Sequence, residues 1–436
     1  MAEILTEKSN LAAVGIARIF QGGQLVFDAG NTELHTIRAK VRGAGDDLVK
    51  FFDYGVKWRE ILVDGEPIPL ANPPRPYYCL DDEQLHDVRL TIASTALSSL
   101  GSIFRGCTAL EEVVFPDTLT ELGTYTFYGC TNLRRVQLPQ RLTSIGWRMF
   151  EQCTTLESVE LPDDVRSIGD NAFYGCTALK SVSIGPLVTT IGADAFRGCP
   201  SLGSIVMPHY LQEIGANAFR DCAGLKAVHF NGLLAKIGDH AFDGTGIEVL
   251  NLPQSVAEIG GYVFRQCNSL RTITWQTSAA IPPATFMNCE RLSQVWLNDD
   301  IEELGDNAFA YCYSLQAIKL PAGLRRLGVS CFCDDANLMA VSIPGGVEAI
   351  NTGTFQRNVM LGAITMPGTL KRIESNAFAY AGTATSGAII DLRGTAIEYI
   401  HAQAFGHSKI SIVVERGKTI ASGGATIIRR DIGEPI

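Results

Sequence analysis

The chain has 436 residues, of which 46% are hydrophobic and only 19% charged, with a formal net charge of −10. That is ample material for a core, so extensive disorder is excluded, and no apolar run reaches the roughly 18 residues a membrane helix requires. The acidic balance also argues against a nucleic-acid partner held by a basic patch.

The start MAEILTEKSN sets Glu3 and Glu7 against a single Lys8, which does not fit a secretory signal, and residues 4–20 are expected to form a short amphipathic helix. Strands or short mixed elements are expected over 23–28, 33–41, 47–53 and 59–63. Asp64-Gly65 reads as a hairpin turn, and the proline-rich stretch from Ala71 to Pro76 as a stiff connector. Residues 1–80 carry no repeat and are expected to form an N-terminal cap or attachment domain. Leu85, Val88 and Leu90 read as an incomplete first repeat strand.

From there the chain is periodic. Fourteen phenylalanines, Phe104, Phe127, Phe150, Phe173, Phe196, Phe219, Phe242, Phe264, Phe286, Phe309, Phe332, Phe355, Phe378 and Phe405, recur at intervals of 22 or 23 residues, the last interval being 27. Such a period is the mark of a stacked repeat. In one unit Val159 and Leu161 face inward by period-two alternation while Ser158 and Glu160 face outward, and Pro162 ends the strand. Val165 and Ile168 form a second, shorter extended segment. Glycine stands four residues before the phenylalanine in nine units, from Gly123 to Gly328, and Asn351 replaces it once, which suggests a left-handed backbone there. Asp170-Asn171-Ala172-Phe173 reads as a capped single helical turn. No unit can bury its own apolar face, so stacking must build the core.

The pattern Ile-Gly-x-x-Ala-Phe-x-x-Cys-x-x-Leu-x-x-Val-x-Leu-Pro resembles the BspA-like class of leucine-rich repeats over roughly residues 85–415. The resemblance implies an α/β leucine-rich-repeat solenoid: about 14 stacked repeats of 22–23 residues over 81–415, with short parallel strands, one short helical turn per repeat and an N-terminal cap domain. It also implies a surface or secreted binding or adhesion protein. In a second resemblance, Leu48-Val49-Lys50-Phe51-Phe52-Asp53-Tyr54 is similar to N-terminal parts of prophage tail repeat proteins.

Nine of the 12 cysteines, Cys107, Cys130, Cys153, Cys176, Cys199, Cys222, Cys267, Cys289 and Cys312, stand three residues after the anchor phenylalanine. Thr245, Asp335, Asn358, Ala381 and Ser408 fill that slot in other units. A column that accepts threonine and alanine reads as free, buried thiols, not as disulfides or a metal site. Translation-related side chains near 5 Å apart cannot reach disulfide geometry without twisting the stack. Cys331-Phe332-Cys333 lacks zinc-site spacing, and no metal or cofactor is expected. The histidines share no register, and His240 with Asp239 reads as a turn cap.

Outward strand positions supply the candidate binding face. Trp296 stands out as an exposed anchor, with Gln294, Thr274 and Lys319 around it and His229 in the same column. The turn edge carries Arg105, Arg197, Arg220 and Arg265 with Tyr128, Tyr174, Tyr311 and Tyr380. Asp299, Asp300, Glu302, Glu303 and Asp306 form the sharpest acidic cluster, at a spacing that matches no calcium loop. Strands over 410–414 and 426–428 lead into a closing C-terminal tail, residues 416–436.

The expected function is a non-enzymatic interaction protein that binds a protein or a cell-surface glycan on the solenoid face, without nucleic acid and without membrane insertion. The alternatives are a phage tail or receptor-binding part and an enzyme of unrecognised type. Without a signal peptide, a cytoplasmic or virion-associated place is favoured over classical secretion.

Overall fold

In a computed structural model of the protein, residues 18–21, 24–28, 34–43, 48–50, 60–67, 77–79, 84–93, 102–230, 232–385 and 387–435 are described. The repeats stack in parallel with a constant offset. Ser158–Glu160 pairs with Ser181–Ser183 so that Val159 lies beside Val182, and Ser204–Val206 pairs with Ala227–His229 in the same way. The second segment of each unit forms its own ladder, with Ser144–Ile145, Ser167–Ile168, Thr190–Ile191, Glu213–Ile214, Lys236–Ile237 and Glu258–Ile259 side by side in one sheet. The alternation fixes the faces: Val159 and Leu161 are buried, and Ser158 and Glu160 are exposed.

Between the two ladders runs a single spine of phenylalanine. All fourteen anchor rings are buried, and successive rings stack at 5.0–5.8 Å. The rings lie nearly parallel, the largest tilt being 25° between Phe286 and Phe309. Phe115, Phe230 and Trp275 close on the spine edge-on. Each ring gains stacking as well as burial from its neighbours.

The expected helical turns are not found. No helix occurs among the elements of the described residues. At the Asp170–Phe173 turn the amides reach across to the next repeat: Asn171 N–H donates to Ala193 O at 2.8 Å, Phe173 N–H to Ala195 O at 2.7 Å, and Gly175 N–H to Arg197 O at 2.9 Å. Because these amides are already bonded to the next repeat, they cannot also close helical i→i−4 bonds. Asn171 itself is left-handed, with φ 56°, and Gly175 follows at φ 71°. Asp170 does cap, but the amide it accepts from is Ala193 one repeat on, at 2.8 Å. Asp239 likewise serves Gly261, while His240 is left-handed at φ 55° and bonds Asp243.

The recurrent glycine before the turn has a different cause from the one expected. Gly215 is not in the left-handed region; a Cβ on it would lie 2.6 Å from Ala193 N, and one on Gly238 would lie 2.5 Å from Ala216 N. The backbones of successive repeats touch at these two glycines, so a Cβ there would require the neighbouring repeat to shift, whereas Pro282, Asn351, Glu374 and His401 fill the same position in other units. Where Asn351 replaces glycine, its side-chain amide donates to Leu327 O.

The ends are built from longer strands. Leu34–Arg42 pairs antiparallel with Leu85–Ala93 on one side and with Leu110–Val114 on the other, so the first repeat strand is covered by an antiparallel sheet. Leu85, Val88 and Leu90 thus lie in this antiparallel sheet and not in a first repeat strand. Glu60–Val63 and Glu66–Pro67 form the expected hairpin, with Asp64 and Gly65 both at positive φ. Of the helix expected over 4–20, residues 4–17 lie outside the described ones, and Arg18–Gln21 is a strand. The connector from Ala71 to Pro76 also lies outside them. At the far end Ile410–Glu415 and Thr426–Arg430 extend the sheet. Arg393 holds this end by a bidentate pair with Asp391 and by donating to the carbonyl oxygens of Asp431 and Glu434. No helix of the described residues is long and apolar enough to cross a membrane.

Candidate interaction surface

The strand face is the broadest side-chain array that the repeats present in register. Twelve outward positions from Ser181 to Trp296, two per repeat, are Ser181, Ser183, Ser204, Val206, Ala227, His229, Val249, Asn251, Thr272, Thr274, Gln294 and Trp296. None carries a carboxylate, ammonium or guanidinium group. Val206, Val249 and Trp296 are exposed at 78%, 49% and 54%.

Of the residues singled out from the sequence, the structure brings three together. Trp296 lies beside Thr274 in register, and Gln294 lies beside Thr272, whose hydroxyl donates to Gln294 Oε1 at 3.3 Å. Lys319 sits one repeat further on, its ammonium turned to Asp299 at 3.1 Å. His229 pairs in register with Val206, two repeats before Thr274. The exposed valines 206 and 249 were not singled out in the sequence, although their place in the outward columns was the available signal.

The acidic cluster beyond Trp296 is matched by the next repeat. Asp299 faces Lys319, Glu302 faces Arg325 at 3.6 Å, and Glu303 and Asp306 share Arg326. Lys319's hydrogen bond holds the Asp299 carboxyl below its ordinary range. Among the described residues no group of three or more histidine, cysteine or acidic side chains could hold a metal ion. At the N-terminal end of the strand face Glu112, Val114, Arg135, Gln137, Gln140 and Glu160 line an open groove of about 510 Å³.

The cysteine column lies inside. The eleven cysteines from Cys107 to Cys333 are buried. Eight column thiols donate to the carbonyl of the anchor phenylalanine one repeat earlier, at 3.0–3.3 Å, as Cys176 does to Phe150. Burial pushes the Cys176 thiol up to about 12. The Cys176 sulfur is therefore a structural donor held away from the thiolate form.

The family model for the BspA type leucine-rich repeat region matches residues 98–222, 189–280 and 276–385 in six copies. The chain belongs to this family. Among solved structures, this BspA-type chain is similar to a leucine-rich repeat protein from Bacteroides ovatus, with 23% identity over 71% of this chain and 86% of that one, at a TM-score of 0.51. It is also similar to a leucine-rich cell surface protein from Faecalibacterium prausnitzii, with 24% identity over 69% and 81% of the two chains, at a TM-score of 0.40. A third, the pneumococcal vaccine antigen PcpA, shows 19% identity over 67% and 85%, at a TM-score of 0.45. No curated protein matches. The Bacteroides structure shows the fold. Leucine-rich-repeat solenoids are typically non-enzymatic binding or interaction proteins, because their stacked strands present one extended surface.

Proposed function

We propose that this protein is a binding protein that takes an uncharged ligand, a glycan chain or a neutral protein segment, along the strand face, with Trp296 as the anchor. The observation that carries this reading is a 54% exposed tryptophan at the end of a run of twelve outward residues without a formal charge. A face of hydroxyl, amide and small apolar groups loses little solvation when it is covered, whereas a charged face would have to be paired. Thr274 and Gln294 flank the ring as hydrogen-bonding groups, Lys319 marks the charged boundary, and His229 and Val206 extend the face three and four repeats before Trp296. Residues 1–80 act in this reading as the cap or attachment piece and residues 416–436 as the closing tail.

The test is to screen the full chain on arrays of neutral glycans and uncharged peptides, then to measure the best hit against Trp296→Ala. An anchor tryptophan is worth about 2 kcal/mol or more, so affinity should fall roughly thirtyfold. Unchanged affinity in Trp296→Ala, or a hit whose contacts map away from the strand face, would remove this assignment.

A further inference from the structure

The turn edge near the start of the solenoid has a chemistry opposite to that of the strand face. Trp147 meets Tyr125 edge to face at 4.9 Å, and Tyr125 meets Tyr128 at 5.5 Å. Arg105 lies 4.9 Å from the centre of the Tyr125 ring and 5.5 Å from that of Tyr128. Arg148 lies 4.9 Å from Trp147 and 5.9 Å from Tyr125. Two guanidinium groups therefore share one tyrosine, and Trp147 remains 42% exposed beside them.

Two further observations bear on this patch. Tyr125 and Arg148 occupy the left-handed position two residues before their phenylalanines, at φ 59° and 56°. Asn171, Asp194, Asn217, Asn307 and Asn376 fill the same position in other repeats, and asparagine and aspartate adopt that backbone more readily. Tyr125 and Arg148, like His240 and Tyr262, place larger side chains at this position. Elsewhere on the edge Arg197 faces Asp194 at 3.0 Å, Arg265 faces Asp243 at 2.8 Å, and Arg357 faces Asp334 at 3.6 Å. Arg148 Nε faces Glu151 Oε2 at 3.3 Å, an ion pair without hydrogen-bond geometry to a side chain only 10% exposed. Burial also raises the Glu151 carboxyl above its ordinary range, which weakens the match to Arg148.

We propose that this patch binds an acidic sugar residue, with its carboxylate received by the Arg148 guanidinium and its ring packed on Trp147. Stacking on a ring fixes a guanidinium, and with Nε turned to Glu151 the terminal nitrogens of Arg148 are the ones that would meet a carboxylate. Three rings beside the cations fit a ligand with an apolar ring face as well as a charge, in preference to a bare anion. In a chain of net charge −10 this local positive edge would draw an anionic ligand that the rest of the surface repels.

The experiment is calorimetric titration of the full chain with a uronic-acid hexasaccharide and with its carboxyl-reduced, neutral counterpart. The acidic form should bind at least about tenfold more tightly and should weaken with added salt. Arg148→Gln and Trp147→Ala should each cost about tenfold, Arg148→Lys less, and Trp296→Ala nothing. Thermal unfolding of each variant checks that the fold survives, and the Arg148 series decides the matter if Trp147→Ala does not fold. Equal binding of the neutral sugar, indifference to Arg148→Gln, no binding of the acidic sugar, or equal competition by inorganic sulfate would each overturn the proposal. Because Trp296→Ala is the control, these outcomes stand apart from the fate of the strand-face reading.

Discussion

Asp335 shows how much a single residue can decide inside a repeated core. It fills the cysteine slot of its unit, fully buried, with Oδ1 accepting the Cys312 amide at 2.7 Å and Oδ2 without a hydrogen-bond partner. Burial raises its carboxyl far above the ordinary range, so the folded state holds it protonated while the unfolded chain ionises it near pH 4. Between those two values the unfolded state binds fewer protons, so this group makes stability fall as pH rises. Asp335→Asn keeps an acceptor for Cys312 and removes the charge. Its stability relative to the parent should grow from pH 4 to pH 8 by more than the ~0.5 kcal/mol of a neutral surface change. Chemical denaturation at the two pH values measures this, and a constant difference would show that Asp335 is paired in a way the geometry does not reveal.

At the scale of the element, the repeat is held by contacts between backbones. Alternate amides of the turn bond forward to the next repeat, and the glycine before it touches the repeat behind. Gly215→Ala would drive a methyl to 2.6 Å from Ala193 N, so the neighbouring backbone must shift to admit it. A loss of about 1–3 kcal/mol is expected in urea denaturation. Gly203 is also not left-handed, but a methyl there would meet no atom within 4 Å, and Gly203→Ala should stay within ~0.5 kcal/mol. If the two variants lose equally, the conformational freedom of glycine, and not close approach, accounts for the column.

On the scale of the whole molecule, each repeat touches only its neighbours, so stability is a sum along the stack and the ends matter most. The N-terminal end is covered by Leu34–Arg42 running antiparallel to Leu110–Val114. The C-terminal end depends on Arg393, whose largely buried side chain ties Asp391 to the last turn. Arg393→Ala should strip amide-exchange protection from residues 387–430 while leaving the protection of residues 150–260 unchanged. Uniform loss across the chain would mean that the solenoid unfolds as one cooperative block.

The repeat, its parallel stacking and the inward and outward faces were legible in the sequence, because a structure whose units contact only their neighbours writes its tertiary period into its primary one. Trp296 could be placed on an outward column for the same reason, and the buried thiols could be read from the residues that replace them. What the period could not carry was the hydrogen-bonding between units. The turn looked helical because Asp-Asn-Ala-Phe is a good helix start, but every second amide is taken by the next repeat. The glycine looked left-handed because nothing local reveals that another backbone passes within van der Waals contact. Trp147, Arg148 and Tyr125 share one patch only after stacking brings residues 22 and 23 apart in sequence into contact. Periodicity determined the stack; contact between successive repeats decided the turns, the cap and the edge.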